Sequence, residues 1–291
     1  MKKINIFCFG FGQVAKNFIK KLKIENIDIN LIVTSREKSQ KKIFESIEYD
    51  SLELNENFFD KKILDNLEKI DHYLISIPPI SGEDIVIKNF QKHLQNCKPK
   101  WITYLSATSV YGNHNGEWVT EESKTKPTSP NGVERLEVEK SWMRLAVENK
   151  LPIQIFRLSG IYSSRRNILA RLKLGNEKII KVKNHFFSRI HIDDIANILF
   201  ESLKNFKTQE IYNISDDKPA SSEELIMYGC KLLKIEKPQT VDIHSIESNM
   251  LKNFYKDSKK VENKKMKFFF NYELKYPSYV EGLNFIKNNP I

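Results

Sequence analysis

Ile4-Asn-Ile-Phe-Cys-Phe-Gly10-Phe11-Gly12-Gln13-Val14-Ala15 is the stretch that decides the fold of this 291-residue chain. A run of strand-forming residues stops at a Gly-x-Gly, and a helical pattern begins at once. Val14, Ala15, Phe18, Ile19 and Leu22 recur at the spacing of one helix face. This is the order that a dinucleotide-binding βαβ unit requires. Gly10 permits the tight turn, and Gly12 lets the main chain approach a pyrophosphate with no Cβ in the way. Ala15 is small enough for helix and strand to pack closely. The helix N-terminus, with Gln13 and Val14, then offers free N–H groups and a positive dipole end to phosphates. Only ten glycines occur in the whole chain, below the usual ~7%, which gives weight to two of them standing here.

Outward from this segment, strand-like and helix-like stretches alternate through the first two hundred residues. That alternation predicts an α/β fold, a doubly wound parallel sheet with helices on both faces. Strands are expected near 3–9, 29–34, 46–49, 72–77, 101–106, 152–158 and 211–214. Helices are expected near 13–24, 37–44, 57–68, 83–95, 132–149 and 194–204, the last capped by Asp193. After Asp216 the alternation weakens, and Ser221-x-x-Glu224 reads as a capping box opening a helix to about Leu233. The expected organisation is a nucleotide-binding core over 1–160, continued by 186–215. Residues 161–185 and 216–291 form a small C-terminal substrate lobe, with substrate in the crevice at the carboxyl ends of the strands.

Composition narrows the classes of function. Cys8, Cys97 and Cys230 show no paired or metal-ligand spacing, and no histidine joins cysteines or acids at such spacing, so no metal is expected and a reduced, cytoplasmic setting fits. Met-Lys-Lys followed by apolar residues does not read as a signal peptide, because Asn5, the glycines and Gln13 interrupt it. No apolar run approaches the roughly 18 residues of a membrane span. The net charge is +10, yet the lysine pairs at 20–21, 41–42, 61–62, 259–260 and 264–265 are dispersed among acids. With no basic-aromatic motif, the excess reads as a solvated surface that favours anionic small molecules, and nucleic acid is not an expected partner.

The end of the second strand bears on the choice of cofactor. An acid about twenty residues after the glycines would hold a ribose 2′-hydroxyl, whereas an arginine accommodates a 2′-phosphate. Here the strand ends in Thr34-Ser35-Arg36, and a hydroxyl beside an arginine suits a phosphate monoester. Glu37 is read as facing solvent in a first helical turn. NADP is therefore expected over NAD, which stays open as the alternative. Two further strand ends are assigned to the nicotinamide half. One is Ile77-Pro78-Pro79, whose fixed φ holds an extended loop; the other is the hydroxyl-rich run from Ser106.

Taken with the glycine turn, several later segments recur in one order. They are Ser106-Ala107-Thr108-Ser109-Val110-Tyr111-Gly112, Pro127-Thr-Ser-Pro-Asn131-Gly-Val-Glu-Arg135, Arg157-Leu-Ser-Gly160-Ile-Tyr162, Arg189-Ile-His191-Ile-Asp193-Asp194 and Tyr212-Asn213. Together they resemble the extended short-chain dehydrogenase/reductases, the NAD-dependent epimerase/dehydratases, and most of all their atypical branch. The resemblance runs from about residue 3 to 287. It implies a Rossmann core and a catalytic set of Tyr, Lys four residues later, and Ser or Thr. At the matching positions this chain has Asn131, Arg135 and Ala107. Asn exchanges no proton at any useful pH and Arg stays charged, so the usual set is absent. Arg135 is left to hold a cofactor ribose or a substrate anion. Thr108, Ser109 and Tyr111 are the candidate substitutes, with Tyr162 a further phenol, although a structural role is the simpler reading of Tyr111.

Other candidates read as structural. His191 is expected to be a buried strand-end histidine with a satisfied hydrogen bond. His114 lies in the polar 113–126 loop, which is placed over the pocket. Arg165 and Arg166 are read either as an anion grip or as a solvated pair. Tyr255-x-x-x-Lys259 repeats the catalytic spacing outside its strand-helix context and is read as coincidence. The helices near 83–95 and 132–149 are where related folds dimerise, and Trp142 and Met143 suit that homodimer or a core equally. The sequence thus points to an NAD(P)-binding oxidoreductase or epimerase for a small polar, sugar-like substrate with a non-standard acid/base. The alternative is a nicotinamide-nucleotide sensor or regulator without turnover.

Overall fold

In the computed structural model, which describes residues 3–175, 177–246 and 255–290, the chain forms the expected α/β fold around a large, mostly parallel sheet. Strand β1 (Ile4–Phe9) lies inside this sheet and is almost wholly buried. Helix α1 (Gln13–Ile24) follows and buries Val14, Ala15, Phe18, Ile19 and Leu22, the face read from the sequence. The chain then returns parallel to β1 as β2 (Ile29–Ser35).

The next element differs from expectation. Instead of a helix over 37–44, strand β3 (Gln40–Phe44) runs to the sheet edge and pairs antiparallel with β4 (Ile47–Glu53), which is itself parallel to β2. Lys41-Lys42-Ile43-Phe44 is too short for periodicity to separate helix from strand, and the register with β4 decides it. With no helix there, Glu37 stands in the link to β3. After α2 (Lys62–Leu67), the chain crosses to the other side of β1 as β5 (His72–Ile75), again parallel. Helix α3 (Ile85–Asn96) leads to β6 (Trp101–Ala107) beside β5.

Further along come β7 (Trp118–Val119), α4 (Pro130–Glu148), β8 (Ile153–Leu158) and β9 (Gly160–Tyr162). They are followed by α5 (Ile168–Lys173), β10 (Ile179–Ile180), β11 (Arg189–His191), α6 (Ile192–Lys204) and β12 (Glu210–Ile214). Among the described residues the large sheet has eight strands in the order β12-β8-β6-β5-β1-β2-β4-β3. Strand order reverses at β1, the place where open α/β sheets carry their ligand sites.

The residues group into two compact units. The first comprises Met1–Ser106, Glu134–Arg157 and Ile195–Tyr212; the second comprises Ala107–Val133, Leu158–Asp194 and Asn213–Ile291.

In the first unit, α2, α3 and α4 cover one face of the sheet with a continuous apolar cluster that includes Phe7, Phe9, Tyr73, Phe90, Tyr104 and Trp142. Trp142 is therefore core, and its indole N–H donates to Asp84 Oδ2 at 3.0 Å. The other oxygen of Asp84 caps α3 by accepting from Val86 and Ile87. One carboxylate thus fixes the start of one helix and the flank of the next. On the opposite face Phe18 of α1 stacks on Trp101, whose N–H donates to Ser202 of α6.

In the second unit, α5, α7 (Ser222–Leu233) and the helix Tyr279–Asn288 share their own apolar cluster. The Ser221/Glu224 capping box is formed as read. Asp193 is not a cap, because α6 begins one residue earlier and places it in the first turn. The imidazole of His191 does the capping, its Nδ1 accepting from the Asp193 N–H at 3.2 Å.

One ion pair ties α4 to the sheet. Arg157 on β8 donates to both oxygens of Glu139, at 2.7 to 3.1 Å, and both side chains are about 95% buried. Removing one partner strands a buried charge, which costs far more than the pair gains. Arg157→Met is expected to lower unfolding free energy by about 3–5 kcal/mol. Adding Glu139→Leu should recover much of that loss, as read by urea denaturation of the single and double variants.

Candidate functional site

The sequence-predicted cofactor residues all fall in the first unit, at the carboxyl ends of four neighbouring strands. Gly10 turns the chain at the end of β1 with φ +87°. Its N–H donates to Thr34 Oγ1 at 2.9 Å, and its carbonyl accepts from Ser76 Oγ at 2.9 Å. A Cβ at this position would stand 2.8 Å from Ser76 Oγ and 3.0 Å from Ile77 Cγ1. Gly10 is thus required both by its left-handed backbone and by the closeness of the β5 end.

Gly12 differs: it is exposed, and a Cβ there would meet nothing within 4 Å. It is the N-cap residue of α1, with no side chain capping the helix and no acid in the first turn. The first-turn N–H groups of Gln13, Val14 and Ala15 have no intrahelical partners. Gly12 and this uncapped N-terminus therefore leave an open, electropositive cradle that fits a pyrophosphate. Phe11 between them turns to the hairpin, its ring 5.5 Å from Phe44 and 5.2 Å from Tyr49.

Around that cradle, Ser35 closes β2, and its Oγ accepts from Ser51 and from the Glu37 N–H. Arg36 is exposed, and among the described residues no hydrogen bond or ion pair holds its guanidinium. Glu37 is engaged instead by Lys42, 2.5 Å away. The link after β5 runs through Ile77, Pro78 and Pro79, outside any strand or helix. Ser106, near the end of β6, is buried, and its hydroxyl has no partner among the described residues. Arg135 on α4 reaches the same strand end, its Nη1 donating to the Leu105 carbonyl at 3.3 Å. Its charge also bears on the buried Tyr104 phenol, which burial pushes well above the usual tyrosine range against the pull of Arg135.

The second unit carries a cavity of about 840 Å³. Thr108, Ser109, Asn131 and Tyr162 line it, whereas Tyr111 does not. Tyr111 is wholly buried, and its hydroxyl donates to Asn213 Oδ1 at 2.7 Å, so the structural reading of that residue holds. His114 is also occupied elsewhere, its Nε2 lying 3.2 Å from the Tyr111 carbonyl and 3.1 Å from that of Lys124. Of the arginine pair, Arg166 lines the cavity and Arg165 does not.

Three cavity cations carried no site assignment from the sequence. Arg171 pairs with Glu177 at 2.8 Å. Arg189 is buried, and its Nη1 donates to the carbonyls of Phe187 and Ala220 at 3.0 Å each. Burial lowers its affinity for the proton, while nearby Asp216 opposes that. Asp216 is itself buried, with Oδ2 unpartnered among the described residues, and burial raises its carboxyl well above the usual range. Lys259 is the third, with Nζ donating to the Gly112 carbonyl at 3.0 Å. Among the described residues no group of three or more His, Cys, Asp and Glu side chains is arranged to hold a metal.

The family model for the NAD dependent epimerase/dehydratases matches residues 88–215. A functionally unknown conserved protein from Silicibacter pomeroyi is 30% identical, with 98% of this chain and 99% of that one covered at a TM-score of 0.86. The chain belongs to the NAD-dependent epimerase/dehydratase family. More distant members of the fold are NAD complexes. The dTDP-glucose 4,6-dehydratase of Bacillus anthracis is 17% identical, with 98% and 96% coverage and a TM-score of 0.77. The UDP-glucuronic acid 4-epimerase of Bacillus cereus is 18% identical, with 98% and 99% coverage and a TM-score of 0.75. No curated protein matches the chain. Among the described residues of this family member, no helix is long and apolar enough to cross a membrane.

Behind the cavity, Tyr162 is held by its neighbours in the second unit. Its hydroxyl donates to the Ser278 carbonyl at 3.3 Å, and its ring meets His191 edge-on at 5.1 Å. Nδ1 of His191 accepts the Asp193 N–H, which requires the neutral imidazole. That is the hydrogen bond expected of a buried strand-end histidine, while its Nε2 has no partner among the described residues. Burial pushes His191 down to about 4, against the attraction of Asp193. A lowered folded-state value stabilises the fold above the unfolded value near 6.5 and loses that contribution as pH falls towards 4. His191 by itself is therefore expected to impose a drop of roughly 2 kcal/mol in unfolding free energy across that interval, opposed by Asp194, whose carboxyl burial raises to about 6. His191→Phe should flatten the drop when urea unfolding is followed at a series of pH values.

Proposed function

We propose that this family member binds a nicotinamide dinucleotide, with NADP preferred over NAD, and acts as an oxidoreductase or epimerase on a small, polar, anionic substrate. The observation that carries the reading is the cradle at Gly10–Val14. It combines an uncapped helix N-terminus, a main-chain turn that only glycine tolerates, and open space where a Cβ would stand. The backbone of Gly10, Phe11, Gly12, Gln13 and Val14 would hold the pyrophosphate. Ile77, Pro78, Pro79, Ser106 and Arg135 would border the nicotinamide half, and the orphaned Ser106 hydroxyl is suited to a ligand hydrogen bond. The bound nicotinamide would supply reversible hydride acceptance.

The preference for NADP rests on Ser35 and Arg36. Arg36 is exposed and uncommitted, while Glu37, the acid that would compete for a ribose diol, is paired with Lys42. Arg36→Ala is expected to weaken NADPH binding about tenfold, one lost charge-assisted contact, and to leave NADH affinity unchanged. Nicotinamide fluorescence titration reads both affinities. An unaltered NADPH affinity would overturn the assignment.

Substrate is assigned to the cavity of the second unit. Its arginines 166, 171 and 189 suit a carboxylate or phosphate. A second reading, a nucleotide-binding sensor without turnover, is favoured by Ala107, Asn131 and Arg135 standing where the family's hydroxyl, phenol and amine are expected. Single-turnover oxidation of bound NADPH by carbonyl compounds separates the two. Hydride transfer to any of them supports the enzyme; tight NADPH binding with none supports the sensor.

A further inference from the structure

We propose that Lys259 is the proton-exchanging group of the second unit's cavity, taking over the role that Asn131 cannot perform. The inference rests on the cavity being a substrate site. Lys259 and Asn131 line the same cavity, together with the hydroxyls of Thr108 and Ser109. Its side chain is not a surface lysine: only 9% of the residue is exposed. The segment before β13 (Lys260–Val261) is fastened on both sides of it. Ser258 Oγ accepts from the Phe186 N–H and donates to the Asn184 carbonyl, and the Val261 N–H donates to Ser188 Oγ. The amine is thus held in place by its neighbours rather than by its own charge.

The partners of Nζ favour a neutral amine. An ammonium has three hydrogens to satisfy, and among the described residues a single acceptor bonds to Nζ, the Gly112 carbonyl at 3.0 Å. No carboxylate lies within 4 Å of it among the described residues. Asp257, the acid in the cavity, accepts from Thr128 Oγ1 at 2.5 Å instead. Burial accordingly shifts Lys259 below the ordinary lysine range, with Asp257 only partly restoring it. The acceptor is itself built for the purpose. Gly112 has φ +68°, and a Cβ there would overlap the Lys126 carbonyl, so this turn admits glycine alone.

A neutral amine that gives one hydrogen to Gly112 keeps a lone pair for a ligand. In the step proposed, the O–H bond of a bound alcohol breaks and an N–H bond forms on Nζ. The oxygen keeps the electron pair as an alkoxide, and the amine becomes an ammonium. In reverse the ammonium returns the proton to oxygen. Desolvated lysines serve as bases in this way because their charged form is penalised.

Competitive acetylation of the wild-type protein with acetic anhydride over a series of pH values, read by peptide mass spectrometry, tests the first requirement. The midpoint of labelling reports the amine's titration whatever its accessibility. The Lys259 midpoint is expected below that of exposed Lys264; an equal or higher midpoint overturns the proposal. Glycolaldehyde with cyanoborohydride tests whether a carbonyl reaches Nζ. Faster alkylation of Lys259 than of Lys264 at neutral pH supports the proposal, and equal or slower alkylation overturns it. NADPH titration on the same sample keeps the two readings distinct. Failure of labelling with NADPH binding intact removes only the role of Lys259, whereas loss of NADPH binding removes only the cofactor reading.

Discussion

Everything at the carboxyl end of the sheet hangs on how Gly10 is held. Its N–H is taken by a side chain from the end of β2, and its carbonyl by a side chain from beyond the end of β5. Backbone groups that would otherwise need water are thus satisfied by neighbours on both sides. The turn cannot drift without breaking contact with one strand or the other. Because β1 stands where the strand order reverses, those two hydrogen bonds also fix how the ends of β2 and β5 lie on either side of the cradle.

The cradle was legible in the sequence because its requirements are local. Glycines at positions 10 and 12, the run of strand formers before them and the helical spacing after them are adjacent residues. They obey rules of main-chain geometry that do not depend on the remainder of the chain. The capping box at Ser221 was legible for the same reason. Strand β3 was not, because Gln40–Phe44 owes its conformation to pairing with β4. Five residues carry too little periodicity to announce a partner.

Buried charge was the least legible property. Glu139 sits in a helix rich in surface acids, and its commitment to Arg157 becomes apparent only when β8 lies beneath it. Lys259 looks like one more lysine in a lysine-rich tail. Its burial follows from β13 pairing with β7, residues 118–119 and some 140 positions earlier. Arg189 was visible as part of a motif, yet its place in the cavity depends on β9 and β11 lying side by side. In each case the decisive neighbour is distant in sequence, and composition gives the opposite impression.

Strand β3, which replaced an expected helix, also leaves the sheet with an open border. As the outermost strand it carries a row of main-chain donors and acceptors that no other strand takes up among the described residues. Such a border is a template on which a foreign strand can grow, the more so with Ile43 three-quarters exposed. Lys41 and Lys42, which looked like ordinary surface charges, stand on this strand and act as gatekeepers. An approaching strand would have to strip water from these lysines and from Glu48 and Glu37, with which they are ion-paired, which makes extension of the border costly.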